Sequence, residues 1–207
     1  MDATTHPTAT TPIATLRLDP AALRVLAHPL RSRLLTALRS GGPATATSLA
    51  RTLGTNTGAT SYHLRRLAGV GLITETDEGK GRERWWRAST DAHDWTERDI
   101  VGDPAAEAAS DWLKRHYLRG FVDRYEHWLD TADREPIDWR VAAESGDTAL
   151  HGTPADIADF HRELLELFDR YRRRSPHSPD ARRVAFYYHA FPMAEIEGNR
   201  PTAEGER

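Results

Sequence analysis

The stretch from Ser48 to Gly69, SLARTLGTNTGATSYHLRRLAG, constrains this chain more tightly than any other. Leu49, Ala50 and Leu53 recur at helical spacing and stop at Gly54, and Thr47 can cap this first short helix. The next residues make a tight turn. A second helix is expected from Thr57 to Ala68, with Thr60, Leu64 and Leu67 on its inner face. Thr57, Gly58, Ser61, Tyr62 and Arg65 then lie on the outer face, where small and polar residues allow a close approach by another molecule.

The next segment of the chain gives this pair of helices a meaning. After Gly71, LITET is short and β-favouring, EGKG is a turn, and RERWWRA returns as a second strand. Two short helices, a glycine-containing turn and a glycine-tipped hairpin make a winged helix-turn-helix, a device that reads DNA. On this reading Ser61 and Tyr62 contact base edges, Arg65 a base or a phosphate, and Arg51 and Arg66 phosphates. Asn56, Thr57 and Gly58 lie at the entering end of the helix. The wing presents Lys80, with Arg82 and Arg84 on one strand face, while Trp85 and Trp86 are expected to pack on the helices.

The flanking chain falls into segments. Residues 1–18 are rich in Thr, Ala and Pro and are expected to be a disordered tail. Asp19 and Pro20 open a helix through about Ala27, and His28 and Pro29 interrupt it. A second helix then carries Leu30, Leu34, Leu35 and Leu38 and ends before Gly41. Together residues 19–90 form the DNA-binding domain. Residues 91–130 comprise a polar linker to Asp103 and a long helix from Pro104 to Asp130, a candidate dimerisation element. Residues 131–192 are expected to form a small α+β domain in the order β-β-α-β. Its parts are a hairpin of Trp139–Ser145 with Thr148–Gly152, a helix bearing Ile157, Phe160, Leu164, Leu167, Phe168 and Tyr171, and a buried final strand over VAFYYHAF. The aromatics of that strand are expected to be core, with an effector pocket as the alternative. A flexible tail covers 193–207. The fold class is therefore mainly α with small β.

Charge and composition agree with this division. Residues 24–90 hold 11 basic against 4 acidic residues, +7, whereas residues 91–207 carry −9 within a total of −3. A basic module beside an acidic one suits a protein in which only the first meets phosphates. The chain has no cysteine, which removes disulfides, thiolate metal sites and cysteine nucleophiles together. No apolar run approaches a membrane span, and the N-terminus lacks the features of a secretory signal, so a cytoplasmic protein without a membrane partner is expected. No phosphate-binding Gly-rich loop, GxSxG or HExxH occurs, and the chain is not expected to be an enzyme. The alternative to DNA reading is a protein-interaction module that uses its winged domain for a partner.

LAHPLRSRLL, SLARTLG, GATSYHLRRLAGVGLI and GRERWWRA, in that order, resemble the winged helix-turn-helix of ArsR-type bacterial transcriptional regulators over about residues 20–90. The arginine, alanine and threonine bias and the GRERWW wing are similar to actinobacterial members. The resemblance implies a homodimer joined through its terminal helices, acting on a palindromic or near-palindromic operator in double-stranded DNA, often as a repressor. It also implies two metal patterns to check. The thiolate pattern is removed by the lack of cysteine. In the second, a zinc site on the last dimer helix, His116, His127 and Asp130 match the spacing but Lys114 stands where an aspartate belongs. Two His and one Asp are an incomplete tetrahedral set, so no metal and no cofactor is expected; a small-molecule effector stays open.

Overall fold

The computed structural model describes residues 15–76, 83–174 and 181–193. The chain divides into two compact units, Met1–Ser175 and Pro176–Arg207. In the first, β1 (Thr15–Arg17) leads to α1 (Pro20–Leu26), α2 (Pro29–Gly41), β2 (Ala44–Thr45), α3 (Ala46–Leu53) and α4 (Thr57–Ala68). Then come β3 (Ile73–Thr76), β4 (Trp85–Ala88), β5 (Ala92–Asp94), a 3-10 turn over Glu97–Asp99, and α5 (Pro104–Thr131). A second 3-10 turn, α6 (Ile137–Ala142) and α7 (Pro154–Arg173) complete the unit's described elements. Among the described residues no helix is long and apolar enough to cross a membrane.

Local chemistry sets most of these boundaries. The Asp19 carboxylate accepts the Ala22 N–H at 2.7 Å and Pro20 follows, so α1 starts where the sequence placed it. His28 caps α2 through its ring, with Nδ1 accepting the Leu30 N–H at 3.1 Å. For α3 the expected cap, Thr47, is corrected to Thr45. Thr45 Oγ1 accepts the Ser48 N–H at 3.2 Å while Ser48 Oγ accepts the Thr45 N–H at 3.1 Å, a reciprocal capping box that starts the helix at Ala46. Gly54, at φ 64°, ends α3 in the left-handed region that a side chain would strain.

The core gathers Leu23 and Leu26 of α1, Leu34, Leu35 and Leu38 of α2, Leu49 of α3, and Leu64 and Leu67 of α4. Leu72, Ile73 and Trp86 close it from the hairpin, and Ala106, Ala109 and Leu113 from the first turns of α5. Of the two tryptophans expected to pack on the helices, Trp86 is buried in the core whereas Trp85 is only half-buried and lies outside it. The sheet order is β2-β4-β3, with Ala44 opposite Trp86 and Glu75 also opposite Trp86 across antiparallel pairs.

Several expectations are overturned. The expected disordered tail does not extend to residue 18, because Thr15–Arg17 pairs in parallel with Ala92–Asp94 and Leu18 is fully buried. The expected hairpin over 139–152 is absent: Pro136 starts a helical turn, with Trp139 N–H donating to the Pro136 carbonyl at 3.0 Å, and residues 143–153 are irregular. The residues of VAFYYHAF form no strand in the second unit and are exposed, Phe186 at 70%, so neither the buried strand nor the β-β-α-β order stands. With no neighbouring strand described, those aromatics have no sheet in which to pack. The expected helix is α7 in the first unit; on its apolar face Ile157, Leu164 and Phe168 are half-buried, whereas Phe160, Leu167 and Tyr171 are exposed.

A polar tie joins α2 to α5 beneath β5. Arg39 Nη1 donates to His93 Nδ1 at 2.7 Å, so the ring proton sits on Nε2 and is donated to the Tyr117 hydroxyl at 2.8 Å. Burial, and then the Arg39 charge, hold His93 down to about 3. The folded protein thus refuses a proton that the unfolded chain accepts near pH 6.5, and the stabilisation present above that pH is lost as pH falls from 6.5 toward 3. Thermal or urea melts should show His93 contributing a loss of about 1.4 kcal/mol per pH unit in that window. His93→Gln should be less stable at pH 7.5 yet fall less steeply below pH 6.5; an unchanged slope would contradict the buried neutral ring.

Candidate nucleic-acid interface

The rotation of α4 decides which residues face outward. Thr60, Leu64 and Leu67 are fully buried, as their spacing predicted, and Thr60 Oγ1 donates to the Asn56 carbonyl at 3.0 Å. At 100° per residue this leaves an exposed arc centred on Tyr62, 54% exposed, with Ser61 and Arg65 on one flank and Arg66 and His63 on the other.

The Ser61 flank faces the wing across an open cleft of about 290 Å3. Its walls are Thr45 and Thr47 at the start of α3, Thr57, Ser61 and Arg65 of α4, and Glu83, Arg84 and Trp86 of the hairpin. Arg84 lies 3.6 Å from Glu75 across the hairpin, a pair exposed enough that water and an incoming phosphate can compete for the guanidinium. Thr57 and Gly58 are exposed at the entering end. Asn56 is committed locally: its Oδ1 caps α4 by accepting the Ala59 N–H at 2.7 Å. A Cβ at Gly58 would stand 3.4 Å from that same oxygen, so the glycine keeps the cap uncrowded. Arg51 is exposed on α3. Lys80 and Arg82 lie outside the described residues.

The opposite flank was not legible in the sequence. His63 packs at a tilt against His28 with ring centroids 4.5 Å apart, and Tyr62 meets His63 edge-on at 5.1 Å. His63 Nδ1 is buried without a hydrogen-bond partner. Desolvation, then the nearby Arg31 charge, lowers both histidines below their ordinary range, and burial, followed by the Arg66 charge, lowers Arg31. Arg31 carries no motif; only the fold brings it to α4.

His116, His127 and Asp130 are not brought together within the chain. They ride one continuous helix, where eleven residues separate the two histidines by roughly 16 Å along the axis. His116 stacks on Trp112 at 4.8 Å, and burial followed by the charges of Arg119 and Arg124 lowers its pKa. Among the described residues no group of three acidic or histidine side chains could hold a metal ion.

Comparison with known proteins agrees with the local geometry. Residues 26–76 match the model of a helix-turn-helix domain. No curated protein matches. Among solved structures, the chain is similar to the homodimeric winged helix-turn-helix DNA-binding domain of a possible ArsR-family regulator from Mycobacterium bovis, at 19% identity over 48% of this chain and 76% of that one, with a TM-score of 0.32. It is also similar to a possible transcriptional regulator for arsenical resistance, at 29% identity over 60% of this chain and 98% of that one, TM-score 0.30. A third is the adhesin competence repressor of Streptococcus pyogenes, at 15% identity over 68% and 78%, TM-score 0.31. Likenesses of that size carry no weight on function.

The two roles open to Asn56 separate by substitution. Asn56→Ala should lower stability by about 1 kcal/mol in urea melts, while Asn56→Asp should keep the cap and weaken binding to duplex DNA. Equal DNA affinity for Asn56→Asp would place position 56 away from the phosphates.

Proposed function

We propose that this chain, which carries a helix-turn-helix domain within a winged fold, is a DNA-binding transcriptional regulator that acts as a homodimer on a palindromic or near-palindromic operator, as a repressor. The observation that carries the reading is the exposed arc of α4, on which Ser61, Tyr62, Arg65 and Arg66 project beside a cleft walled by Arg84 of the wing and the start of α3. A helix presented in this way fits the major groove, with Ser61 and Tyr62 at base edges, Arg65 at a base or phosphate, and Arg66 and Arg51 at phosphates. Lys80 and Arg82 would extend the contact from the wing tip. None of these roles calls for catalysis.

The dimer reading is supported by α5. Its buried residues end at Leu113, and Leu118, Val122 and Leu129 beyond it are exposed. Beyond Tyr117 the helix runs about fourteen more residues, and the exposed Leu118, Val122 and Leu129 give it an apolar face that a second copy would cover. Charges along this part of α5 run from Lys114, Arg115 and Arg119 to Asp123, Glu126 and Asp130, with Arg124 the one arginine in the acidic stretch, an order that suits antiparallel pairing with a second copy.

Fluorescence anisotropy with duplex DNA tests the reading. Log affinity should fall linearly with log salt, and Arg65→Ala should cost roughly 1–3 kcal/mol on a selected site. Salt-independent binding, or none, would move the winged domain to a protein partner. Sedimentation should find the wild type dimeric and the double variant Leu118→Glu with Val122→Glu monomeric, with DNA affinity lost alongside. A dimer that survives both glutamates would place the interface elsewhere.

A further inference from the structure

The flank of α4 away from the wing holds Arg66, already placed at a phosphate, beside Arg31, to which the proposed function gives no role. Arg31 comes from the first turn of α2 and Arg66 from the last turn of α4. Arg31 is anchored by its Nε, which donates to the Val25 carbonyl at the end of α1. That bond leaves both terminal nitrogens of the guanidinium for another acceptor. Neither arginine forms an ion pair with a described residue.

We propose that Arg31 and Arg66 form a seat for a DNA backbone phosphate on the side of the recognition helix opposite the wing. The inference rests on the DNA-binding reading and adds to it a contact residue, Arg31. Around the seat, α4 supplies Tyr62, His63 and Arg66, α2 supplies Arg31, the junction before it supplies His28, and α1 supplies the Val25 carbonyl. The two arginines converge because the His28 and His63 rings meet at 4.5 Å and Arg31 and Arg66 each lie three residues further along the same helix face, and no described carboxylate pairs with either arginine. Two guanidiniums held within each other's field repel, and an anion between them relieves the repulsion. The identity of the anion follows from position. A helix lodged in the major groove has a phosphate strand along each side; Arg84 serves one strand, and the other runs past Arg66 and Arg31. Behind the seat, the tilted His28–His63 contact and the edge-on Tyr62–His63 contact hold α4 against the start of α2.

The test compares the full-length wild type with Arg31→Gln in anisotropy titrations over a range of salt, on a selected site and on an unrelated duplex. We expect the slope of log affinity against log salt to decrease in magnitude by about 1, with the preference between the two duplexes unchanged. An unchanged slope in a folded Arg31→Gln protein overturns the seat and leaves the DNA reading standing. A wild type with no salt-dependent DNA binding overturns both. Inorganic phosphate at constant ionic strength should not compete with DNA; competition that vanishes in Arg31→Gln would make this a free-anion site and overturn the backbone assignment. Because Arg31 also bonds the chain at Val25, phosphate-ethylation interference on the wild type is the companion measurement. Interfering phosphates on both sides of the recognition helix are expected, and interference confined to the wing side would overturn the proposal even if the variant does not fold.

Discussion

The burial of Thr60, Leu64 and Leu67 against α1, α2 and the hairpin fixes the rotation of α4 about its own axis, and every statement about the surface this protein presents to a partner depends on that angle. Three side chains from three successive positions of one stripe leave no freedom to turn the helix by even one residue, since a 100° rotation would swing Leu64 into the exposed arc and put His63 in its place. The caps then fix where the two helices begin: Asn56 holds the entry of α4, and the Thr45–Ser48 box that of α3 before it. Local hydrogen bonds and core packing thus converge on the same exposed arc.

The same core ties that arc to the rest of the first unit. α5 packs on α1, and Arg24 meets the Asp103 cap of α5 at 2.6 Å, so the long helix begins on the DNA-binding domain. Arg39, His93 and Tyr117 make a second, half-buried connection from α2 to α5. A dimer formed along α5 would therefore set the spacing and orientation of two α4 helices through two independent attachments. That is the geometric condition for reading a symmetric site.

Much of the DNA-binding domain was legible because its signals are local. Thr57 to Ala68 emerged with the bounds that its apolar stripe and flanking residues imply, and α5 runs one residue past the expected Asp130. The misreadings share a physical cause. Thr15–Arg17 is too short to show a period, and its partner lies some 77 residues away in β5, so only tertiary pairing identifies it. Trp139 to Gly152 and Val184 to Phe191 carry β-favouring residues, but propensity without a neighbouring strand does not make a sheet. Thr45 outcompeted Thr47 as the cap because Ser48 could return the hydrogen bond, a reciprocity that a single capping residue does not advertise. Of the site, the α4 face was legible and Arg31 was not, since its role arises only from the corner at His28 that turns α2 toward α4.

The central claim is that the exposed arc of α4 reads a base sequence. Selection of bound fragments from genomic DNA by purified protein at near-physiological salt, repeated with Ser61→Ala and Arg65→Ala, tests it most directly. The account predicts a shared inverted repeat for the wild type, with enrichment weakened or relaxed by both substitutions. Absence of an enriched site, or enrichment indifferent to both substitutions, would contradict it.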